Sequence, residues 1–280
     1  ARLARPAAFG GAEVRTLALS STELSDKTIS DAVACAAPRL ERLDVSFIED
    51  LAAPALGAPA LRLLAAAGCA SLRDEAVTAA CATSPRLATL RLSLCVSLQR
   101  PELGGGSLAE VNLGGCSALV DAAVTRLCAS APHLRRLSLC LCASLVAPVA
   151  AGRALQRLEM AHCDNLANPT LGGGALELVN LSGCAKLVDA AVEALCATSP
   201  KLLKLNLSRC AALDAPRLRS ASLHALSVHG LNAQVQERVR RRGEWPSLVK
   251  LKGLNADGAA RVAASAVLPS PEIRHNPSTS

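Results

Sequence analysis

Large rings are almost missing from this chain. Its 280 residues include two Phe, one Trp and no Tyr, and only one Met. Yet 51% of the residues are hydrophobic, so the apolar mass is Leu, Val, Ala and Cys. That choice suits a core of thin identical layers, which has little room for rings. The same scarcity leaves no stacking platform for single-stranded nucleic acid, so nucleic acid is not an expected partner. There is also no apolar run near the roughly 20 residues of a membrane span, and no membrane contact is expected. The opening ARLARPAAFGG has no apolar signal-peptide segment. Phosphate-loop chemistry is missing too. Gly104–Gly106 and Gly172–Gly174 are not followed by Lys-Ser/Thr, and both fall at equivalent places in a repeat.

What the chain has instead is a phrase that recurs. Leu108, Val111, Leu113 and Cys116 form L-x-x-V-x-L-x-x-C, and the phrase returns at Leu134, Leu137, Leu139 and Cys142. Copies end at Cys69, Cys95, Cys116, Cys142, Cys163, Cys184 and Cys210, with degenerate ones at Thr22, Ile48 and Leu231. Successive ends lie 26, 21, 26, 21, 26, 21, 21, 26 and 21 residues apart. Leucine-patterned periods in the twenties specify a leucine-rich-repeat solenoid. The expected fold is therefore α/β: a right-handed βα horseshoe of the ribonuclease-inhibitor kind, with a parallel sheet on the concave face.

The connectors are of two kinds. The long ones, 71–87, 118–134 and 186–202 with a looser copy at 24–40, carry helical spacing such as Val124, Leu127 and Cys128. Asp74, Asp121 and Asp189 stand where N-caps are expected, and Pro85, Pro132 and Pro200 close the helices. The short connectors place Pro54, Pro101, Pro148, Pro169 and Pro216 six residues after each ladder position. They are expected to be extended or single-turn, with two thin layers adjacent around Cys163. Residues 1–13 form a lead-in segment, 14–255 a solenoid of about 11 repeats, 256–268 a capping segment and 269–280 a disordered tail. A helix is expected over 233–243 and a last strand over 245–251. With no N-terminal cap legible before Val14, further repeats or a domain are expected upstream.

Twelve cysteines invite a disulfide reading that their positions oppose. Seven occupy the ladder, and Cys81, Cys128 and Cys196 each lie 12 residues beyond a ladder Cys. A small apolar thiol repeated at core positions is a packing residue, and reduced thiols fit the cytoplasm or nucleus. Of the two thiols in Cys140–Cys142 one is in the ladder, too few left over for a metal site. His162, Cys163 and Asp164 are consecutive, so neighbours point to opposite faces and cannot form a nucleophile–base pair. No catalytic, metal or cofactor residue is assigned, and the chain is not expected to be an enzyme.

The remaining candidates flank the strand leucines. Arg42, Asp44, Phe47, Arg91, Arg136, Arg157, Glu159, His162, Lys204, Asn206, Arg209, His229, Lys250 and Lys252 are expected on the concave binding face. Small positions such as Ala65, Asn112, Gly114, Asn180 and Ser182 lie between them. Each charged residue alone reads as an ordinary solvated one. Together, the basic excess toward the C-terminal half, within a net charge of +7, points to an acidic or phosphorylated protein segment. The chain is expected to be a monomer.

The phrase L-x-x-L-x-L-x-x-C-x-x-L followed by (V/R)-D-x-A-V-x-x-L-C-x-x-x-P-x-L, read from Leu176–Leu202 and Leu108–Leu134, resembles the cysteine-containing leucine-rich repeat. That repeat is characteristic of the F-box/leucine-rich-repeat proteins, substrate receptors of SCF-type ubiquitin ligases. The short Pro-x-L connectors look like the plant and algal members. The resemblance covers about residues 14–255. It implies a protein-binding receptor that reaches a Skp1-like adaptor and a cullin through an F-box, a module these residues do not contain. A free-standing interaction scaffold is the alternative.

Overall fold

The computed structural model describes residues 14–214, 216–231 and 250–252. Eleven three-residue strands stack into one parallel sheet: β1 (Thr16–Ala18), β2 (Arg42–Asp44), β3 (Leu63–Ala65), β4 (Thr89–Arg91), β5 (Glu110–Asn112), β6 (Arg136–Ser138), β8 (Arg157–Glu159), β10 (Leu178–Asn180), β11 (Lys204–Asn206), β12 (Ala225–Ser227) and β13 (Lys250–Lys252). The register never slips. The central residues Leu17, Leu43, Leu64, Leu90, Val111, Leu137, Leu158, Val179, Leu205, Leu226 and Leu251 pair in one row. Strand period two turns that row inward and its neighbours outward. The sequence-predicted α/β leucine-rich-repeat solenoid is the observed fold. Residues 1–13, the helix expected at 233–243 and the segments at 256–268 and 269–280 lie outside the described residues. Of the last strand expected over 245–251, Lys250–Lys252 is observed.

Behind the sheet, the ladder closes each turn. All seven ladder thiols are buried, and each donates its S–H to a carbonyl of the preceding repeat. Cys95 reaches Ala66 O at 3.0 Å, Cys116 reaches Leu92 O at 3.1 Å and Cys184 reaches Met160 O at 3.1 Å. A thiol has one donor, and one bond satisfies it. Burial pushes Cys95, Cys116, Cys142 and Cys210 up to about 12 and Cys184 up to about 11. All twelve cysteines are free thiols.

The long connectors fold as expected into α1 (Asp26–Ala36), α2 (Asp74–Thr83), α3 (Asp121–Ser130) and α4 (Asp189–Thr198). Their aspartates are not N-caps. The cap positions are Arg73, Val120 and Val188, and none makes a side-chain cap bond. Each Asp is the first helical residue, where its charge still favours the helix N-terminus. Its carboxylate leaves the helix to hold the next repeat. Asp121 accepts the Val146 and Ala147 N–H groups, both at 2.9 Å. Asp74 accepts those of Gln99 and Arg100 at 2.9 and 2.8 Å. Asp26 does the same for Ala52 and Ala53, and Asp189 accepts from Asp214 at 3.1 Å.

One turn further along, Ser30, Thr78, Thr125 and Glu193 accept the N–H of Ala55, Glu102, Val149 and Arg217. Between these clamped amides stand the buried Pro54, Pro101, Pro148 and Pro216, residues with no N–H to satisfy. The short connectors thus lie extended against the preceding helix. Where two thin repeats meet there is no helix to supply acceptors. There β7 (Val149–Ala151) and β9 (Thr170–Gly172) pair in a small second sheet, and Thr170 N–H bonds Pro148 O at 3.0 Å. No helix among the described residues is long and apolar enough to cross a membrane.

Candidate protein-binding face

The outward residues of the strands make two rows. One runs Arg42, Leu63, Thr89, Glu110, Arg136, Arg157, Leu178, Lys204, Ala225 and Lys250. The other runs Asp44, Ala65, Arg91, Asn112, Ser138, Glu159, Asn180, Asn206, Ser227 and Lys252. Register therefore brings Arg91, Arg136 and Arg157 around one shallow cavity of about 240 Å³, with Glu110 and Asn112. A second, of about 350 Å³, is lined by Arg157, Glu159, Asn180, Lys204 and Asn206. Arg42 and Asp44 stand apart from both, behind Leu63 and Ala65. Lys250 and Lys252 lie on β13, and their side chains fall outside the described ones.

Not every candidate is available to a partner. Asp44 Oδ1 and Asn206 Oδ1 accept the N–H of Ser46 and Ser208 at 3.0 and 3.1 Å. Asn112 and Asn180 do likewise for Gly114 and Ser182. These residues fix the chain as it leaves the strand. Pinning the Asn oxygens leaves their NH₂ groups as the donors each can offer elsewhere. Arg136 pairs with Glu110 at 3.0 Å and Arg157 with Glu159 at 2.8 Å. Arg91 and Lys204 make no side-chain hydrogen bond or ion pair among the described residues, so the uncompensated positive charge of the two cavities resides on them.

Phe47, His162 and Arg209 are not on the strands. They occupy the turn just before the ladder residue, with φ of 60°, 57° and 60°. Each of the ten repeats whose turn is described turns there in the left-handed region: Ser21, Phe47, Gly68, Leu94, Gly115, Leu141, His162, Gly183, Arg209 and Gly230. The conformation is held by an N–H bond to the next repeat, such as Leu94 to Gly114 O and Leu141 to Ala161 O, at 2.7 and 2.8 Å. His229 lies one residue earlier in its own repeat, exposed. Leu94 and Leu141, absent from the sequence-predicted set, project here with 51% and 57% of their surface exposed. The signal that finds them is the residue preceding each ladder position, which is bulky or small according to the connector that follows.

Cys163 is buried with its S–H on Leu139 O at 3.1 Å, and burial raises its pKa. His162 and Asp164 are exposed on either side of it. Among the described residues, no three His, Cys, Asp or Glu side chains are placed to hold a metal ion. The arrangement offers donors, positive charge and a shallow surface, which is the equipment of recognition.

No family model matches the sequence, and no curated protein matches it significantly. Among solved structures the chain is similar to one in the crystal structure of the Rad7 and Elc1 complex in yeast. The identity is 15%, over 84% of this chain and 80% of that one, with a TM-score of 0.41. The fold assignment rests on the unbroken eleven-strand ladder itself, which is that of a leucine-rich-repeat solenoid.

Proposed function

We propose that this solenoid is the substrate-recognition region of an F-box/leucine-rich-repeat protein, a non-catalytic receptor for an SCF-type ubiquitin ligase. The reading is carried by the cysteine ladder, in which each thiol bonds the repeat before it and whose sequence phrase resembles the cysteine-containing repeat subclass. The exposed strand face, with Arg91 and Lys204 unpaired in its cavities, takes an acidic or phosphorylated segment of the protein destined for degradation. An F-box elsewhere in the gene product meets the Skp1-like adaptor and, through it, the cullin. Ten buried, protonated thiols suit the reducing cytoplasm or nucleus. The plant and algal members are the relatives that its short Pro-x-L connectors favour.

Affinity capture of the full-length gene product from its own cells, read by mass spectrometry, tests this. Recovery of the adaptor and a cullin is the expected result. Absence of both, with other proteins enriched, replaces it with a free-standing scaffold.

A further inference from the structure

The left-handed turn before each ladder residue divides the repeats into two sets. Where a helix follows, in the repeats of Thr22, Cys69, Cys116 and Cys184, the turn residue is Ser21, Gly68, Gly115 or Gly183. Where a thin connector follows, in the repeats of Ile48, Cys95, Cys142, Cys163 and Cys210, it is Phe47, Leu94, Leu141, His162 or Arg209. A side chain there is strained, and a bulky one at positive φ is a genuine outlier. The fold does not need it, since glycine makes the same turn with the same backbone bond in the helical repeats.

The bulky side chains lean over the next repeat. A β-carbon at Gly68 would lie 2.6 Å from Phe47 Cδ1, and one at Gly115 would lie 2.6 Å from Leu94 Cδ2. Each glycine is thus the floor for its neighbour's side chain. Phe47, Leu94 and Leu141 remain 58%, 51% and 57% exposed. They form one apolar strip along the edge of the strand face, and it passes into the exposed His162 and Arg209.

We infer that this strip is a second docking edge, for an extended segment of a partner protein with apolar residues leading into acidic ones. Strands lie about 4.8 Å apart, so alternate strands put the apolar crests about 10 Å apart. A polyproline-type chain rises about 3.1 Å per residue with three residues per turn, so every third side chain meets the strip at nearly that spacing. The basic end at Arg209, past the exposed His162, fixes the direction by charge. The inference keeps the protein-binding reading above but uses a different surface from the arginine-lined cavities.

The test is a phage-displayed library of random 12-residue peptides, selected on the described solenoid in its full chain. The expected peptides carry apolar residues three apart, followed by Asp or Glu. Their affinity should fall at least tenfold on the F47G/L94G/L141G variant and on R209E, and change less than twofold on R91A/K204A. The triple variant keeps its turns, because glycine favours them. Peptides that bind the triple variant equally well, that show heptad spacing, or that depend on Arg91 and Lys204 alone overturn the strip. The last outcome would leave the strand face as a binding site intact. Failure to enrich any peptide overturns it as well.

Discussion

Helical and thin repeats share a strand, a turn and a ladder residue, and differ in almost everything else. A helical repeat fills its outer layer itself: α3 buries Ala123, Val124, Leu127 and Cys128. A thin repeat has ten or so residues for the same path and borrows its hydrogen-bond acceptors from the helix before it, through Asp121 and Thr125 in the case of Val146, Ala147 and Val149. Over the first six repeats the structural unit is therefore the pair, 26 plus 21 residues. The thin member gives up internal structure and carries the exposed bulky turn residue. Economy on one side of the layer coincides with display on the other.

The steepest way to break this comparison is alkaline pH. Cys81, Cys116, Cys128 and Cys196 ionise near 9 when unfolded and near 11 to 12 when folded, because burial disfavours the thiolate. Burial raises the other buried thiols, Cys69 and Cys163 included, in the same direction. Above pH 9 the unfolded chain therefore holds fewer protons than the folded one. Stability, complete below pH 9, falls by up to about 1.4 kcal/mol per thiol per pH unit until the folded pKa is passed. Three of the helical repeats hold two such thiols, as in Cys116 with Cys128, whereas each thin repeat with a ladder cysteine holds one. Urea midpoints from pH 8 to 11 should fall steeply. Hydrogen exchange, corrected for its own pH dependence, should show α2, α3 and α4 opening before β7 and β9.

Replacing a ladder thiol with a charge should not distinguish the two kinds of repeat. Cys116→Asp in a helical repeat and Cys142→Asp in a thin one each bury an unpaired carboxylate, at a cost of several kcal/mol. Unequal urea midpoints would show that the ladder is not the common spine.

Asp121→Ala acts on the pair alone. It removes the acceptor of two amides, and hydrogen bonds to a charged group contribute about 1.5–3 kcal/mol each. A loss of about 2–3 kcal/mol is expected after water replaces part of the interaction. Hydrogen exchange should accelerate at Val146 and Ala147 and leave the Cys116 ladder protected. Were Asp121 only an N-cap, the loss would be about 1 kcal/mol and exchange would rise in α3 instead.

A smaller effect of opposite sign comes from the turn. Leu94→Gly should stabilise by about 1 kcal/mol, since it relieves a left-handed Leu, and Gly115→Leu should destabilise, because its β-carbon meets Leu94. This column also marks the limit of what is legible in the sequence. Strands, ladder, helices and thin layers could be read because burial repeats a residue type at a fixed spacing, as with Leu90, Leu92 and Cys95. The clamp of Asp121 could not, since its partners are backbone amides 25 and 26 residues away that leave no mark on residue type. Nor could the positive φ at Leu94, because a leucine in a leucine-rich phrase reads as core. The candidate face was legible as a set of outward charges on the strands. Which of them are already paired, as Arg136 is and Arg91 is not, depends on cross-strand geometry.

Arg136→Ala should have the smallest effect, within about half a kcal/mol of wild type by urea midpoint, because exposed ion pairs are screened and entropically costly. Its side chain is 63% exposed, and Glu110, 3.0 Å away, keeps its own access to water when the partner is gone. Removing Arg136 also leaves Glu110 as an uncompensated negative charge in the cavity that Arg91 and Arg157 line. If acidic segments bind there, R136A should weaken them more than loss of a single positive charge would, and E110Q/R136A should recover part of the affinity. Stability near wild type together with that partial recovery would assign the pair to recognition. A loss of several kcal/mol would assign it to the fold and move the binding face elsewhere.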